Sequence, residues 1–465
     1  MKKWITLSFA LIGIGLTGSV FAEDALRYFQ NKAVTQQLPE ADIAFQNKDY
    51  PKALGIYKRF AEGGVPAGEY QLAYFYQHGF GIEKNAEIAA AWYMKASSQG
   101  LSQAQFALAT LYYYGVGIEQ GLTQAVTLYS EAAKNNNPQA QYMLGYLTQN
   151  GFGMNKDLAL ALEWYGKSGS QGFSLAQYNL GLMYYKGEGI TKDYGKAFSW
   201  FNLAAQQGSA KAQFMLGLMY SLGQSVAIDK NQAFYWYTRA AEKGLAEGQH
   251  NLGVLYFNGT GTQTNLRTAL SWIKKASDQG FPRAEYLTGY LMFNGVGFTK
   301  NPEQAVDWYR RAAVQNFPEA QFALGFLYHN GLSVPKDERQ ALAWFNVAAK
   351  QGLANAQYMV GLFYQQGLGV PSDPKAAAYW YAQAAQQGMD NAQLLLGVIY
   401  SQGQGVPRDN KTAYAWFDLA STSGNNQIRE SALKMRDELA KSMTPTDIGA
   451  AKQLSRSYYS KYAVQ

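Results

Sequence analysis

The chain has 465 residues, and 48% of them are hydrophobic, so it can bury a core and is not a disordered polymer. It has no cysteine, which excludes disulfides and a cysteine-linked lipid anchor and suits an oxidising compartment. The formal net charge of +7 comes without any block of like charges, which argues against a basic face for nucleic acid.

The first 22 residues have the pattern of a secretory signal. Lys2 and Lys3 precede an apolar stretch, and Val20 and Ala22 place small residues three and one positions before a cleavage point. We therefore expect cleavage after Ala22 and a periplasmic or secreted mature protein. The alternative is an uncleaved membrane anchor, which the glycines of the apolar stretch disfavour. No later segment is long and apolar enough to span a bilayer.

Residues 23–41 show no periodicity and are predicted to be a flexible lead-in. Residues 42–66 share the spacing of the segments that follow and are predicted to form a tetratricopeptide-like helical hairpin. Residues 67–424 are then predicted to hold ten repeats of 36 residues, because one glycine recurs at that interval. These glycines are Gly79, Gly115, Gly151, Gly187, Gly223, Gly259, Gly295, Gly331, Gly367 and Gly403.

Each repeat is predicted to hold two helices. In one of them, Ala176, Leu180 and Met183 follow the spacing of one helix face, and Gly181 is small enough for close helix packing. Gly187 then breaks the helix, since glycine takes positive φ without steric cost, and Asp193 can cap the next helix.

Tryptophan recurs in phase in nine of the ten repeats, and we expect it to be a core residue. Trp236→Ala should then cost about 3–5 kcal/mol. Ser225 and Ser333 replace the second turn glycine, so the shape of those two turns could depart from the others. Residues 425–465 are predicted to be capping helices, the last of them opening at Thr444 and Pro445.

The pattern Ala-x-x-x-Leu-Gly-x-x-Tyr-x-x-Gly-x-Gly, followed by Asp-x-x-x-Ala-x-x-Trp-Tyr-x-x-Ala-Ala-x-x-Gly, resembles the Sel-one-like repeat (SLR), a branch of the tetratricopeptide superfamily. The resemblance covers roughly residues 42–424. It implies an all-α, right-handed α/α superhelical solenoid of antiparallel helix pairs, and an adaptor that holds partner proteins or peptides in a concave groove. Bacterial members are often exported and act in envelope processes or in contact with host cells. A cysteine-rich branch has been linked to penicillin binding, and this cysteine-free chain departs from it.

Signals for catalysis are weak, and we expect neither an enzyme nor a cofactor. His78, His250 and His329 lie in distant repeats without the spacing of metal ligands. The segments 271–274 and 431–434 match the S-x-x-K pattern of serine β-lactamases, but the companion S-D-N and K-T-G elements are missing. A β-lactamase-like or penicillin-binding hydrolase built on the repeats is the alternative function.

The first helix of each repeat carries a stripe of residues at i, i+4 and i+8 that we expect to line the groove. Aromatic side chains beside amides suit an extended peptide, since rings supply buried area and amides can bond its backbone. The alternative is that these aromatics merely pack between helices, above all at the first position. The groove candidates are Tyr146, Lys186, Asn258, Tyr290, Asn294, Phe326 and Asn330.

Overall fold

The computed structural model describes residues 38–462, and within that range every regular element is a helix. The predicted leader, its cleavage point and the lead-in up to residue 37 lie outside the described residues. The chain divides into two compact units, one ending at Gln207 and the other beginning at Gly208.

The described residues of the first unit form ten helices, most of them 13 residues long. Each repeat contributes a first helix, A, and a second helix, B, and within a unit B also packs against the A helix that follows it. The helices are α1 (Pro39–Gln46), α2 (Tyr50–Glu62), α3 (Pro66–His78), α4 (Ala86–Ser98), α5 (Ser102–Tyr114), α6 (Leu122–Lys134), α7 (Pro138–Asn150), α8 (Leu158–Ser170), α9 (Ser174–Lys186) and α10 (Tyr194–Gln206).

The second unit continues the same alternation of A and B helices and ends with two helices outside the repeat pattern. Its helices are α11 (Ala210–Leu222), α12 (Lys230–Glu242), α13 (Ala246–Asn258), α14 (Leu266–Asp278), α15 (Pro282–Asn294), α16 (Pro302–Val314), α17 (Pro318–Asn330), α18 (Glu338–Lys350), α19 (Ala354–Gln366), α20 (Pro374–Gln386), α21 (Asp390–Gln402), α22 (Asn410–Ala420), α23 (Asn426–Ala440) and α24 (Pro445–Tyr462).

The turns between helices have the predicted chemistry. Gly187 has φ +76°, in the left-handed region, and the Asp193 carboxylate accepts a hydrogen bond of 2.9 Å from the backbone N–H of Lys196. Ser225 and Ser333 take the same positive φ as the glycines they replace, at 67° and 58°. Those two turns therefore keep the common backbone shape, at the cost of a strained serine.

A glycine on helix A and an aromatic ring on helix B hold the two helices of a repeat close together. A Cβ atom at Gly181 would lie 2.6 Å from the Phe201 ring, and one at Gly217 would lie 2.8 Å from the Tyr237 ring. The ring thus rests directly on the backbone of helix A, and any larger residue would separate the helices. The same contact recurs at Gly145, Gly289, Gly325, Gly361 and Gly397.

The expectation that the recurring tryptophan is the core residue is wrong for most repeats. Trp236 is only partly buried, whereas Tyr237 beside it is 1% exposed. Neighbouring residues on a helix point about 100° apart, and the glycine of helix A faces the second of the pair. Three of the partly buried tryptophans lie under a lysine from the next turn: the ammonium groups of Lys95, Lys167 and Lys275 are 4.0, 4.5 and 4.1 Å from the ring centres of Trp92, Trp164 and Trp272. Trp308 and Trp416 are the buried exceptions.

A row of buried glutamines, which the sequence reasoning missed, ties successive helices together. Gln141 of α7 donates to the carbonyl of Ala133 on the preceding helix at 3.2 Å and accepts from Gln171 on the following helix at 2.7 Å. Each such bond satisfies an amide that would otherwise be costly to bury. The same position is held by Gln105, Gln177, Gln213, Gln249, Gln321, Gln357 and Gln393, so a period of 36 in glutamine was the available signal.

The ends of the repeat array are closed by additional helices. Helix α1 begins at Pro39, so residues 39–41, predicted as lead-in, belong to a helix. At the other end, the Thr444 hydroxyl accepts from the backbone N–H of Asp447, which confirms the predicted cap of α24. Tyr458 and Tyr462 of α24 stack on Trp416 with ring centres 4.5 and 5.7 Å away, which removes that tryptophan from solvent.

Candidate functional site

The first position of each stripe is a packing residue, so the alternative interpretation holds there. Tyr142 is 2% exposed, and its ring centre lies 5.8 Å from that of Tyr165 and 5.3 Å from that of Phe173. Phe322 in the second unit packs on Phe345 in the same way, at 5.4 Å. These rings fill the interface between successive helices and are not available to a partner.

The middle position of the stripe varies from buried to exposed. Leu182 and Val254 are buried, and Tyr146 and Tyr290 are partly buried. Phe326 is 45% exposed, which is unusual for a phenylalanine on a helix packed into an array. Only the larger side chains reach past the packed surface, so Tyr146, Tyr290 and Phe326 remain candidates for binding.

The last position of the stripe is exposed at Lys186, Asn258, Asn294 and Asn330. The side-chain amides of two of the asparagines also donate hydrogen bonds to carbonyl groups of their own helix. The side-chain amide of Asn294 donates to the Tyr290 carbonyl at 2.7 Å, and that of Asn330 donates to the Phe326 carbonyl at 2.8 Å. Lys186 lies 3.5 Å from the Glu188 carboxylate. Each asparagine bond uses one amide N–H, and the rest of the amide faces solvent.

Tyr146 belongs to a larger cluster, which we call the aromatic patch and define as Tyr113, Tyr114, Val116, Tyr146 and Phe152. Tyr114, Val116 and Phe152 are 39%, 43% and 41% exposed. Tyr113 lies edge-on to Tyr114 at 4.8 Å, and Tyr146 lies 6.0 Å from Phe152. Exposed rings that touch one another form a contiguous apolar surface rather than isolated side chains.

Two tyrosines of the aromatic patch have raised pKa values. Burial, together with the neighbouring Tyr146 and Tyr114, raises the pKa of Tyr113 to about 12, and burial also raises the pKa of Tyr114. Next to the patch, the Gln149 amide donates to the Glu188 carboxylate at 3.2 Å. The surface therefore offers aromatic rings and hydroxyl groups beside an amide and a carboxylate.

Most of the aromatic patch was missed because the sequence analysis followed only the stripe. Val116 and Phe152 occupy the position directly after the turn glycine, and that position is also apolar at Phe80, Val296 and Leu332. In the second unit, Phe326 and Leu332 hold the repeat positions of Tyr146 and Phe152, and Leu332 is 39% exposed. An apolar residue after a turn glycine was the signal that could have shown this surface.

The three histidines lie apart. The His78 ring bonds the Tyr74 carbonyl at 2.9 Å, the His329 ring bonds the Glu338 carboxylate at 2.7 Å, and His250 packs against Phe281. Within residues 38–462 no group of three or more His, Cys, Asp or Glu side chains is placed to hold a metal ion. In the same range no helix has the length and apolar character needed to cross a membrane.

The S-x-x-K segment at 271–274 has a geometry that opposes catalysis. Ser271 and Lys274 line one cleft on α14, but the Lys274 ammonium is bound by both carboxylate oxygens of Asp278, at 2.7 and 2.8 Å. The ammonium is thus paired with a carboxylate and not with the Ser271 hydroxyl, which a serine nucleophile would need beside its base. Ser431, in the second match, lies on the capping helix α23, and Lys434 is exposed.

The architecture defines a helical-hairpin repeat protein that carries exposed aromatic side chains on its helices and turns. The family model for the Sel1 repeat matches ten consecutive segments, the first at residues 66–101 and the last at 390–425. These segments cover more than half of the chain, so the chain belongs to the Sel1 repeat family. Proteins of this family generally act in protein–protein interaction.

Solved structures with the same fold include two bacterial relatives. An SLR-fold protective antigen of uropathogenic Escherichia coli is 33% identical, covers 95% of this chain and 91% of its own, and superposes with a TM-score of 0.72. A Sel1 repeat protein of Oxalobacter formigenes is 32% identical over 66% of this chain and 90% of its own, with a TM-score of 0.51.

A curated relative is similar over a much shorter stretch. The chitin synthase regulator SKT5 of Saccharomyces cerevisiae is 42% identical over 57 residues, which is 12% of this chain. The chain spans 8% of the length of that relative.

Proposed function

We propose that this protein is an exported adaptor that binds an extended segment of a partner protein across the aromatic patch. The observation that carries the proposal is that the exposed rings of Tyr114 and Phe152 pack on Tyr113 and Tyr146, and that these two tyrosines are hydrogen-bonded to each other. Aromatic rings that are exposed and held by neighbouring rings bury area on binding at little cost in side-chain entropy. The nearby amides and carboxylate can pair with the backbone of the bound segment.

Two observations support export. The first 22 residues have the charge, apolar stretch and small residues of a cleavable signal. The relative from uropathogenic Escherichia coli is described as a protective antigen, and an antigen must be accessible to the host. We infer that the mature protein acts in the envelope or outside the cell, where its lack of cysteine causes no unwanted cross-links.

The start of the mature protein tests export directly. In a bacterial host, we expect N-terminal sequencing of the protein recovered from the periplasm or medium to begin at Glu23. Retention of Met1 in the accumulated protein would contradict cleavage.

Peptide binding is tested by removing the exposed rings. A random peptide library displayed on phage is panned on the mature protein, and the enriched peptides are measured by titration. Tyr114→Ala with Phe152→Ala should weaken the enriched peptides roughly thirty- to a thousandfold, because each lost aromatic anchor contributes on the order of 1–2 kcal/mol.

The matched control replaces two equally exposed apolar residues on B helices of the same unit. Met94 and Leu203 are 45% and 43% exposed, and Met94→Ala with Leu203→Ala should leave peptide affinity unchanged. Circular dichroism should be the same for both double variants, since surface changes in a repeat array do not unfold it. Loss of binding in the control with full binding in the patch variant would place the site on the B helices and refute the proposal.

A further inference from the structure

The second unit contains a cleft that the adaptor function does not use. It has a volume of about 590 Å³ and lies between the N-terminal half of α14 and the turn that follows α15. Gly297, in that turn, has φ +71°, and a Cβ atom there would lie 2.5 Å from Leu270 and 3.1 Å from Leu266. The turn can thus rest on the two leucines only because residue 297 has no side chain. The volume lies in the range of small-molecule sites.

The apolar wall of the cleft departs from the repeat pattern. Phe298 holds a position that is aliphatic in most other repeats, as at Ile82, Ile118 and Val334. Leu266, at the first position of α14, is 39% exposed. Phe298, Leu266 and Leu270 together give the open cleft an apolar wall of three side chains.

The charge around the cleft is positive. Arg267 and Lys274 both line it, and none of the lining residues is acidic. Lys274 is paired with Asp278, whereas the exposed Arg267 side chain makes no hydrogen bond or ion pair within residues 38–462. Arg267 also lies in the first turn of α14, where the partial positive charge of the helix end adds to its own. The Arg267 guanidinium and the N-terminal end of α14 would both attract an anion to the opening of the cleft.

We propose that this cleft binds an anionic amphiphile, in which a carboxylate is joined to an apolar chain or ring. The carboxylate pairs with the Arg267 guanidinium, whose planar fork can donate two parallel hydrogen bonds. The apolar portion packs on Leu266, Leu270 and Phe298. The ligand is a small molecule and the site lies on a B helix, so the proposal is independent of peptide binding at the aromatic patch.

Titration calorimetry with dodecanoate, below its micelle concentration, tests the site on the mature protein. We expect one dodecanoate per chain, and much weaker binding of butanoate, which has the carboxylate without the long chain. Dodecyltrimethylammonium carries the same chain with a positive charge and should not bind. Arg267→Gln should weaken dodecanoate by about tenfold or more, because a charge-assisted pair is lost. Phe298→Ile should weaken it by roughly threefold or more.

Arg339→Gln is the matched control, since Arg339 is an exposed residue at the same position of α18. It should bind dodecanoate as the unchanged protein does, and all variants should keep the same circular dichroism. Equal binding by Arg267→Gln and the control, several dodecanoates per chain, or equal binding of the cationic amphiphile would each overturn the proposal. None of these results would change the peptide titrations, so the two proposals fail separately.

Discussion

Tyr237→Ala is expected to lower the free energy of unfolding of the second unit by about 3–5 kcal/mol. The side chain is 1% exposed, rests on the backbone at Gly217 and packs against Phe214 with ring centres 5.5 Å apart. Its removal leaves a cavity that α11 and α12 cannot fill, because they are held by their other contacts. Urea unfolding followed by circular dichroism measures the loss, and amide exchange in α11 and α12 locates it.

Trp236→Ala is the control for that prediction, because it removes a larger side chain from the adjacent position. Trp236 is only partly buried, so we expect a loss of about half that of Tyr237→Ala, or less. If Trp236→Ala proved the more destabilising change, the tryptophan and not the following aromatic residue would hold the two helices together.

Lowering the pH from 7 to 5 is expected to destabilise the second unit through His250. Burial, together with the positive charge of Arg283, lowers the pKa of the His250 imidazole to about 3. The Nδ1 atom is buried and has no hydrogen-bond partner within residues 38–462. An unfolded histidine has a pKa of about 6.5, so below that value the unfolded state takes up a proton that the folded state excludes. The contribution of the neutral His250 imidazole to the free energy of unfolding is therefore present above pH 6.5 and is lost progressively as the pH falls towards 3.

The size of the effect follows from the interval between the two pKa values. Between pH 6.5 and pH 5 the loss is about 2 kcal/mol, at 1.36 kcal/mol for each pH unit. His250→Phe, with the residue type that Phe214 and Phe322 supply at this position, should remove that part of the pH dependence. Urea unfolding of the unchanged protein and of His250→Phe, each at pH 7 and pH 5, measures this difference in the free energy of unfolding.

His78→Asn is the control for the pH prediction, because His78 lies in the first unit. Burial lowers the pKa of His78 as well, so this variant should change the pH response of its own unit and leave the loss attributed to His250 intact. An identical pH dependence in the unchanged protein and His250→Phe would show that the imidazole is accessible to protons in the folded state.

The repeat and its turns could be predicted from the sequence because they depend on local chemistry. A glycine with positive φ and an aspartate that caps a helix act on their immediate neighbours, so Gly187 and Asp193 were assigned correctly. The core aromatic could not be chosen in this way. Trp236 and Tyr237 are both large and apolar, and the choice between them depends on which one faces Gly217 across the helix pair. This contact joins two different helices, so the periodicity of a single helix does not indicate it.

The candidate surface was predicted in part for the same reason. Tyr146 and Phe326 were found because a stripe along one helix is a local pattern. Tyr114 and Phe152 join Tyr146 only when two repeats stack and a turn residue meets the helix before it. The first stripe position, as at Tyr142, was expected to be mainly a packing residue, and the structure confirms this.

The buried glutamine row has a consequence for how such a chain can change in length. Gln141 bonds a carbonyl of the preceding helix and a glutamine of the following helix, and Gln321 repeats both bonds with Ala313 and Gln351. Where Glu285 takes the glutamine's place, its partners Arg311 and Gln315 belong to the same repeat. Duplication or loss of one whole repeat with this pair of bonds therefore leaves its buried glutamine amides with equivalent partners. An insertion of any other size would separate the glutamines from these partners. The array can therefore lengthen or shorten by one whole repeat while the same hydrogen bonds form between successive helices.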